Sequence, residues 1–248
     1  MNKYSICAIL LFSILASSCL SKKKVVYLQG SQNYNSVSVN YEPIIQNDDK
    51  ISIVVSSNEN EAAAPFNLSS ITNAADASSG MVYLVDNKGN IEFPVIGTLS
   101  VSGYSLNELK ETLKKKLSVY FKNPPVVNVV ITNFKVTVLG DVKAPGIKTF
   151  ANHRVTILEA IGAAGDLTIF GKRNNVLIVR DFQGIKSFNR VDLTRADLVS
   201  SPFYYLDQND VIYVEERKAK IDATALPNLP IIVSVFSFLT TIVLLVTR

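Results

Sequence analysis

The sequence is poor in the residues that carry most metal and acid–base chemistry. Its 248 residues include one histidine and two cysteines. No Cys/His spacing suits a zinc site, and no glycine-rich loop precedes a helix to hold a phosphate. The single histidine, His153, lies between Asn152 and Arg154 in a polar turn, which favours a solvated or capping role over catalysis. We therefore expect no catalytic residue, no metal and no enzyme activity.

Acidic residues are absent from both ends of the chain. No Asp or Glu precedes Glu42 or follows Asp222, whereas five of the 25 basic residues lie in those ends. The folded middle then holds 20 basic and 21 acidic residues and is nearly neutral. A nucleic-acid-binding protein needs a basic face on its folded part, so we expect no nucleic-acid partner.

The N-terminal segment has the pattern of an export signal. Lys3 gives a positive start, Ile6 to Leu15 form a short apolar core, and small residues follow at Ala16-Ser17-Ser18. Cleavage of residues 1–18 would make Cys19 the first mature residue. An apolar run this short is typical of a signal core and not of a membrane-spanning helix.

The cleavage region resembles the lipobox of bacterial lipoproteins, with Ala16 in the position usually held by leucine. The resemblance implies that Cys19 carries a covalent diacylglycerol and an N-acyl lipid such as palmitate. Cys19 would be the only cysteine left after cleavage, so no disulfide could form within one chain. The alternative is that Cys19 is an ordinary small residue of an uncleaved anchor.

The C-terminal segment has no charge from Ala223 to Thr247. The 19 residues 229–247 are almost wholly apolar and would form a helix of about 29 Å, close to the ~30 Å of a bilayer's hydrocarbon core. We therefore predict a transmembrane helix at 229–247, after a linker at 217–228. Three of its polar residues, Ser234, Ser237 and Thr241, follow an i, i+3, i+7 spacing and share one face. They are candidates for lining a lumen or packing between helices, although hydroxyls in a simple tail anchor also bond to their own backbone.

Between these ends, a tether at 19–40 leads into two domains, 41–132 and 133–216. The first should contain a strand at Ile51 to Val55, an irregular segment from Ser56 to Gly80, and a hairpin of Met81 to Val85 with Ile91 to Phe93. Ser105 and Glu108 have the spacing of a capping box, which predicts the start of a helix.

The second domain repeats this order of elements. Thr156 and Glu159 form another capping box, and strands are expected at Val136 to Leu139, Val176 to Val179 and Ile185 to Phe188. Gln46-Asn47-Asp48 and Gln208-Asn209-Asp210 each precede a strand and suggest shared turn chemistry. A helix lying across a small mixed sheet in each domain predicts an α+β fold.

An ordered set of motifs resembles the polysaccharide biosynthesis/export family. The first domain carries Asp86-x-x-Gly89-x-Ile91-x-Phe93-Pro94 and, further on, Asn123-Pro124-Pro125. The second domain, with Val138-x-Gly140 and Pro145-Gly146, is similar to a soluble-ligand-binding β-grasp (SLBB) domain. Nearly the whole chain is similar to the Wza-type capsule and exopolysaccharide translocon lipoproteins, but with one β-grasp domain.

The resemblance implies a small export domain, one β-grasp domain and a C-terminal transmembrane helix. It further implies a homo-oligomeric ring at the outer membrane that passes polysaccharide passively, with porin-like activity, periplasmic domains and an inner-membrane co-polymerase as partner. Asn47 and Asn209 stand where the family often has glycine, and asparagine tolerates the left-handed conformation.

Two other functions are compatible with the sequence. One is a membrane-anchored periplasmic module that binds a soluble sugar, or acts as a scaffold, without a pore. The other is a polysaccharide-cleaving enzyme with Asp207 and Asp210 as its carboxylate pair, although both flank a strand-launching turn.

Overall fold

The computed structural model describes residues 25–30, 41–58, 60–67, 81–182, 184–218, 220 and 229–246. The predicted signal peptide, Cys19 and most of the tether lie outside the described residues. The described elements form two α+β units and a terminal helix. Those of the first unit are β1 (Lys50–Ser56), α1 (Asn60–Ala63), β2 (Met81–Leu84), β3 (Asn90–Phe93), β4 (Gly97–Ser100), α2 (Leu106–Leu117) and β5 (Val126–Ile131).

The first unit is an antiparallel sheet in the order β2-β1-β5, covered by α2. Alternate residues of β1 are fully buried, as the period of a half-buried strand requires: Ile51, Ile53 and Val55. The leucines spaced along α2 form its buried face. The predicted capping box is confirmed, because Ser105 Oγ accepts the Glu108 N–H and the Glu108 carboxylate accepts the Ser105 N–H at 2.8 Å.

The predicted hairpin of Met81 to Val85 with Ile91 to Phe93 is wrong. β2 pairs with β1, and β3 pairs with β4, a strand that the sequence did not indicate. The Asp86 carboxylate accepts the N–H groups of Lys88 and Asn90, both at 2.8 Å. After this closed turn, β3 pairs with β4 and does not run back along β2.

The prediction of an irregular segment from Ser56 to Gly80 is wrong at residues 60–66, which form α1 and a turn of 3₁₀ helix. Phe66 is buried there, with its ring centroid 5.5 Å from those of Tyr120 and Phe121. One apolar anchor in a polar stretch was too weak a pattern to predict this packing.

The second unit is a five-stranded sheet in the order β10-β9-β12-β6-β7. Within this sheet the β12–β6 pair is parallel, and the other described strand pairs are antiparallel. The capping box at Thr156 and Glu159 is confirmed at the start of α3. The elements are β6 (Lys135–Gly140), β7 (Gly146–Thr149), β8 (Val155–Thr156), α3 (Ile157–Ala163), β9 (Gly171–Phe182), β10 (Ile185–Val191), β11 (Tyr205–Leu206) and β12 (Val211–Glu216).

The terminal helix α4 (Leu229–Val246) forms where a helix was predicted. Its 18 residues extend about 27 Å at ~1.5 Å per residue. Within the described part of the chain, no helix has the length and apolar character needed to cross a membrane. The prediction of a transmembrane segment at 229–247 is therefore not supported.

Candidate functional site at the joint between the two domains

Two turns of the same construction lie at the start of β1 and β12. In the first, Asp49 Oδ2 accepts the Gln46 N–H at 2.8 Å, and Asp48 has a φ of 67°. In the second, Asp210 Oδ2 accepts the Asp207 N–H at 2.8 Å, and Asn209 has a φ of 64°. A carboxylate closes each turn, and the residue before it takes the left-handed conformation that Asp and Asn tolerate.

The sequence alignment of these two turns was wrong by one residue. It matched Asn47 with Asn209, whereas the structure matches Asp48 with Asn209 and Asp49 with Asp210. The repeated Gln-Asn-Asp letters suggested the register, but the position of the closing carboxylate determines it. Shared turn chemistry is confirmed, in this corrected register.

Side chains at the domain boundary connect the two turns. Asn133 accepts the Lys50 N–H at 2.9 Å and donates to the Asp48 carbonyl at 3.1 Å. Gln208 donates to the Asn133 carbonyl at 3.0 Å and accepts the Lys135 N–H at 2.9 Å. The start of β1, the boundary residue and the second turn therefore form one hydrogen-bonded unit.

The second turn also binds an arginine from β9. Arg180 Nε lies 3.0 Å from Asp210 Oδ1 and Nη2 lies 2.7 Å from Asp210 Oδ2, which is a bidentate pair. Its Nη1 lies 2.9 Å from Asp207 Oδ2, and its Nη2 donates to the Tyr205 carbonyl at 3.1 Å. Asp210 is fully buried, so Arg180 supplies the charge that its burial requires.

Tyr41, the first residue of the predicted domain 41–132, is held on the same turn. The Tyr41 hydroxyl lies 2.7 Å from Asp207 Oδ1 and 2.8 Å from the Leu206 carbonyl oxygen. Its ring stacks on Tyr205 at 5.1 Å between centroids, and burial raises the Tyr41 pKa. The Arg154 guanidinium lies 4.6 Å from the centre of the Tyr205 ring. This interdomain contact was missed in the sequence because it joins residues more than 160 positions apart.

Comparisons with known proteins assign both halves of this joint. Residues 37–132 match the polysaccharide biosynthesis/export protein family, and residues 134–214 match the SLBB domain. The chain belongs to the polysaccharide biosynthesis/export family. The boundary between the two matched regions falls at Asn133, the residue that bonds to both turns.

Two relatives of this chain are also named as polysaccharide export proteins. Over 113 residues, 44% of its length, this chain is 29% identical to "EPS I polysaccharide export outer membrane protein EpsA" of Ralstonia solanacearum. A protein of the same name from Ralstonia nicotianae is 30% identical over 101 residues, 40% of this chain. The matches cover 30% and 26% of the lengths of these relatives.

The first turn of the export domain differs from the second in its electrostatics. Asp49 is fully buried, and its Oδ1 has no hydrogen-bond partner among the described residues. Burial and the charge of the nearby Asp48 raise the Asp49 pKa to about 6, against the Gln46 N–H and the Gln208 side chain, which both lower it. The export domain thus keeps a buried carboxyl group that titrates close to neutral pH.

A polar cavity of about 580 Å³ opens beside the two turns. Amide, hydroxyl and charged side chains from both domains line it, which suits a polar ligand and not an apolar one. Its lining residues are Gln46, Asn47, Asp48, Asn87, Lys88, Ser100, Ser102, Asp181, Gly184 and Asn209.

The residues predicted from the sequence are found in separate places. Cys19 lies outside the described residues. Ser234, Ser237 and Thr241 lie on α4, far along the chain from the joint. The Ser234 hydroxyl donates to the Ile231 carbonyl, and the Thr241 hydroxyl donates to the Ser237 carbonyl, each at 2.8 Å. Two of the three hydroxyls therefore bond to their own helix, and a lumen or packing role stays a prediction.

The sequence predicts a solvated or capping role for His153, and the structure shows the surroundings of this residue. His153 is half-buried beside a groove of about 320 Å³, and its Nδ1 has no partner among the described residues. Burial lowers its pKa, so the neutral imidazole is favoured. Among those same residues, no group of three His, Cys, Asp or Glu side chains could hold a metal ion.

Proposed function

We propose that this chain is a subunit of an outer-membrane apparatus that exports capsular or extracellular polysaccharide. The observation that carries the proposal is the order of an export domain and one SLBB domain, which together match residues 37–132 and 134–214. The names of the Ralstonia relatives support both the substrate class and the outer membrane.

In this proposal several copies form a ring, and polysaccharide passes through it passively. The exposed apolar surface of α4 supports self-association. Each side chain of α4 that the structure describes is exposed, and most of these side chains are apolar. Apolar side chains in water favour association with other copies or with lipid. The helices of several copies would meet at the outer membrane with Ser234, Ser237 and Thr241 toward water.

The remaining parts of the proposal concern attachment and partners. Lipids on Cys19 hold the chain at the outer membrane, and the two domains lie in the periplasm. An inner-membrane co-polymerase delivers the polysaccharide, and no nucleic acid, metal or cofactor takes part. The chain is not an enzyme. The Arg180 contacts support this view, because they occupy the carboxylates of Asp207 and Asp210 that a glycosidase would need free.

The ring is tested by extracting the full-length protein from outer membranes in mild detergent and measuring its mass. We expect a multiple of the lipidated mature chain. A strict monomer, or a chain found only in the inner membrane, contradicts the conduit.

The orientation of α4 is tested with a matched pair of lysine substitutions. Ser237→Lys places a charge on the polar face, whereas Phe238→Lys places it on the neighbouring apolar face, where the side chain is 67% exposed. Surface polysaccharide should persist with Ser237→Lys and fall at least tenfold with Phe238→Lys, since a charge in an apolar contact is costly. Equal loss in both variants argues against a water-facing Ser237.

The polar cavity favours a second candidate function, a membrane-anchored module that binds a soluble sugar without forming a pore. In that case Asn87→Ala or Ser102→Ala should abolish binding of oligosaccharide fragments of the native polymer, and the detergent-extracted protein should be monomeric. If both variants still assemble into a ring and still export polysaccharide, the result excludes the sugar-binding module and supports the export channel.

A further inference from the structure

The five-stranded sheet of the SLBB domain has one covered side and one open side. Side chains of a strand point alternately to the two sides. Val138, Ile178 and Ile212 are fully buried on the side that faces the core. The residues next to them in sequence point to the other side and are exposed or half-buried, so no described element packs across it. We call this open side the SLBB face.

Apolar side chains cross the SLBB face from one edge of the sheet to the other. The strand registers place Phe188 of β10 beside Val179 of β9, and Thr137 of β6 beside Ile147 of β7. Val211 of the central strand β12 is the partner of both Val179 and Thr137, which completes the row. A second row on the same side runs through Leu177, Tyr213 and Leu139.

This apolar surface is large enough to be the centre of a protein interface. Phe188 and Ile147 are 67% and 63% exposed, and Tyr213 and Leu139 are both 41% exposed. Large side chains bury roughly 150–250 Å² each when fully covered, so these four present on the order of 400 Å² to solvent. A stable interface buries ~800 Å² on each partner, and its centre is more apolar than its rim. The SLBB face therefore suits the centre of such an interface.

The SLBB face has charged side chains at its ends, and both signs occur at each end. Glu215 Oε2 lies 2.9 Å from Lys172 Nζ, and Glu215 Oε1 lies 2.7 Å from Arg190 Nη1. At the other end, the register places Asp181 of β9 opposite Lys186 of β10. An apolar centre with a charged rim of mixed sign is the usual composition of a protein–protein interface.

The export domain has a second open side on its own sheet. β1 buries every second residue, and Lys50, Ser52 and Ser56 point away from the core. Their partners on β2 and β5 point the same way, which brings apolar side chains together. We call this side the export face, and its apolar residues are Val54, Val82, Leu84, Val126 and Val130. Val82, Leu84 and Val126 are 50%, 58% and 66% exposed.

Two unlike faces on one chain favour pairing of unlike faces between copies. An interface between identical faces is two-fold, so each copy would need one such interface at the SLBB face and a separate one at the export face. One head-to-tail interface covers both faces of every copy, and it closes into a ring when the rotation between copies closes. Two sheets also pack face to face, about 10 Å apart.

We propose that the SLBB face of each copy packs on the export face of a second copy of this chain. The inference rests on the ring of the proposed function, and it names the surfaces at which neighbouring subunits meet. In this arrangement the two folded domains hold the ring, and α4 joins a ring that is already formed.

The pairing is tested by crosslinking two cysteines in the full-length lipoprotein, in isolated outer membranes. The chain carries Phe188→Cys on the SLBB face and Val82→Cys on the export face. A bis-maleimide with an arm of about 10 Å matches the spacing of stacked sheets. Pairing of unlike faces links each copy to two neighbours, so we expect a ladder of multimers on a denaturing gel. The unsubstituted chain, treated in parallel, measures any product through Cys19.

The matched control keeps Phe188→Cys and places the second cysteine at Val119→Cys. Val119 is 79% exposed but lies just after α2, outside the export face. A ladder of equal strength in this control overturns the pairing. Dimers from Phe188→Cys alone would show that like faces meet, which also overturns it.

A charge at the centre of the SLBB face tests the contribution of the interface to assembly. Tyr213→Lys should lower the fraction of ring in mild detergent at least tenfold, because an unpaired charge is costly to bury. Val119→Lys, the control, should leave that fraction unchanged, and circular dichroism checks that both variants fold. An unchanged ring with Tyr213→Lys contradicts the interface.

Failure of the proposed function is read separately, from surface polysaccharide and membrane fractionation. A ladder from a chain that exports no polysaccharide keeps the interface and contradicts the conduit. Export by a ring that gives no ladder contradicts the interface alone.

Discussion

The turns before β1 and β12 have the same backbone, and burial raises the pKa of the aspartate in each, but only one of the two aspartates binds an arginine. Each has a fully buried aspartate that accepts an N–H three residues earlier, after a residue with a left-handed backbone. Asp210 is paired with Arg180, whereas one oxygen of Asp49 has no hydrogen-bond partner within the described residues. The backbone of such a turn therefore needs a side-chain oxygen at this position, and the surroundings determine what else the side chain contacts.

The largest effect is expected where the paired turn loses its cation. Arg180→Met should lower the free energy of unfolding by about 3–5 kcal/mol, because it leaves the Asp210 carboxylate buried without its counter-charge. Urea unfolding of the detergent-solubilised protein measures this. The chain has no tryptophan and ten tyrosines, so tyrosine fluorescence is a suitable signal. Adding Asp210→Asn to Arg180→Met should recover part of the loss, and no recovery would contradict the pairing.

The sharpest contrast is expected from the same substitution in both turns. Asp210→Asn should destabilise because it removes the partner of Arg180. Asp49→Asn should stabilise the protein at pH 7, because an amide still accepts the Gln46 N–H without a buried charge. The expected gain is about 2–3 kcal/mol, from ~1.4 kcal/mol per pH unit over the interval between the unfolded pKa of about 3.8 and the folded pKa of about 6. Effects of the same sign in the two turns would break the comparison.

The pH dependence follows from the raised Asp49 pKa. Between its unfolded pKa near 3.8 and its folded pKa of about 6, the native state holds a proton that the unfolded chain has lost. The contribution of Asp49 to stability therefore falls as pH rises through this interval and is constant above it. Asp49→Asn should remove this slope, as measured by urea unfolding at pH 4, 5, 6 and 7. A slope unchanged in the variant would place the titration on another group.

The left-handed positions should respond alike. Asp48→Ala and Asn209→Ala should each cost about 1–2 kcal/mol, because alanine is strained at a positive φ. Asp48→Gly and Asn209→Gly are the controls, and each should stay within about 1 kcal/mol of the unsubstituted protein. Thermal unfolding followed by circular dichroism is sufficient, and a clear difference between the two alanine variants would show that the turns are not equivalent.

The smallest effect is expected at the contact between the domains. Tyr41→Phe removes the hydroxyl bonds to Asp207 and to the Leu206 carbonyl, but keeps the ring stacked on Tyr205. A loss of about 1 kcal/mol is the usual net value of such a bond. Hydrogen exchange of the Leu206 and Asp207 amides should rise with it, whereas exchange in α2 should not change.

Local patterns in the sequence were sufficient to predict much of the fold. The capping boxes at Ser105 and Thr156 involve residues three positions apart, so their chemistry is complete within one turn of chain. The partner of β3 was not predictable in this way. The sequence pattern of β3 is compatible with pairing to β2 across the turn at Asp86 and equally with pairing to β4, which starts at Gly97.

The candidate site was less predictable than the fold. The pairing of Arg180 with Asp210 and the contact of Tyr41 with Asp207 depend on how the strands assemble, which no spacing encodes. Cys19 and the exposed hydroxyls of α4 were predicted from sequence patterns typical of membrane attachment. The contacts at the joint between the domains do not test these predictions.

The boundary residue Asn133 has a mechanical consequence. It lies two residues after the end of β5 and two before the start of β6, and its side chain bonds to the first turn while its carbonyl bonds to Gln208. A domain boundary that is hydrogen-bonded on both sides in this way cannot act as a hinge. A force that tilts the export domain would therefore tilt the SLBB domain with it.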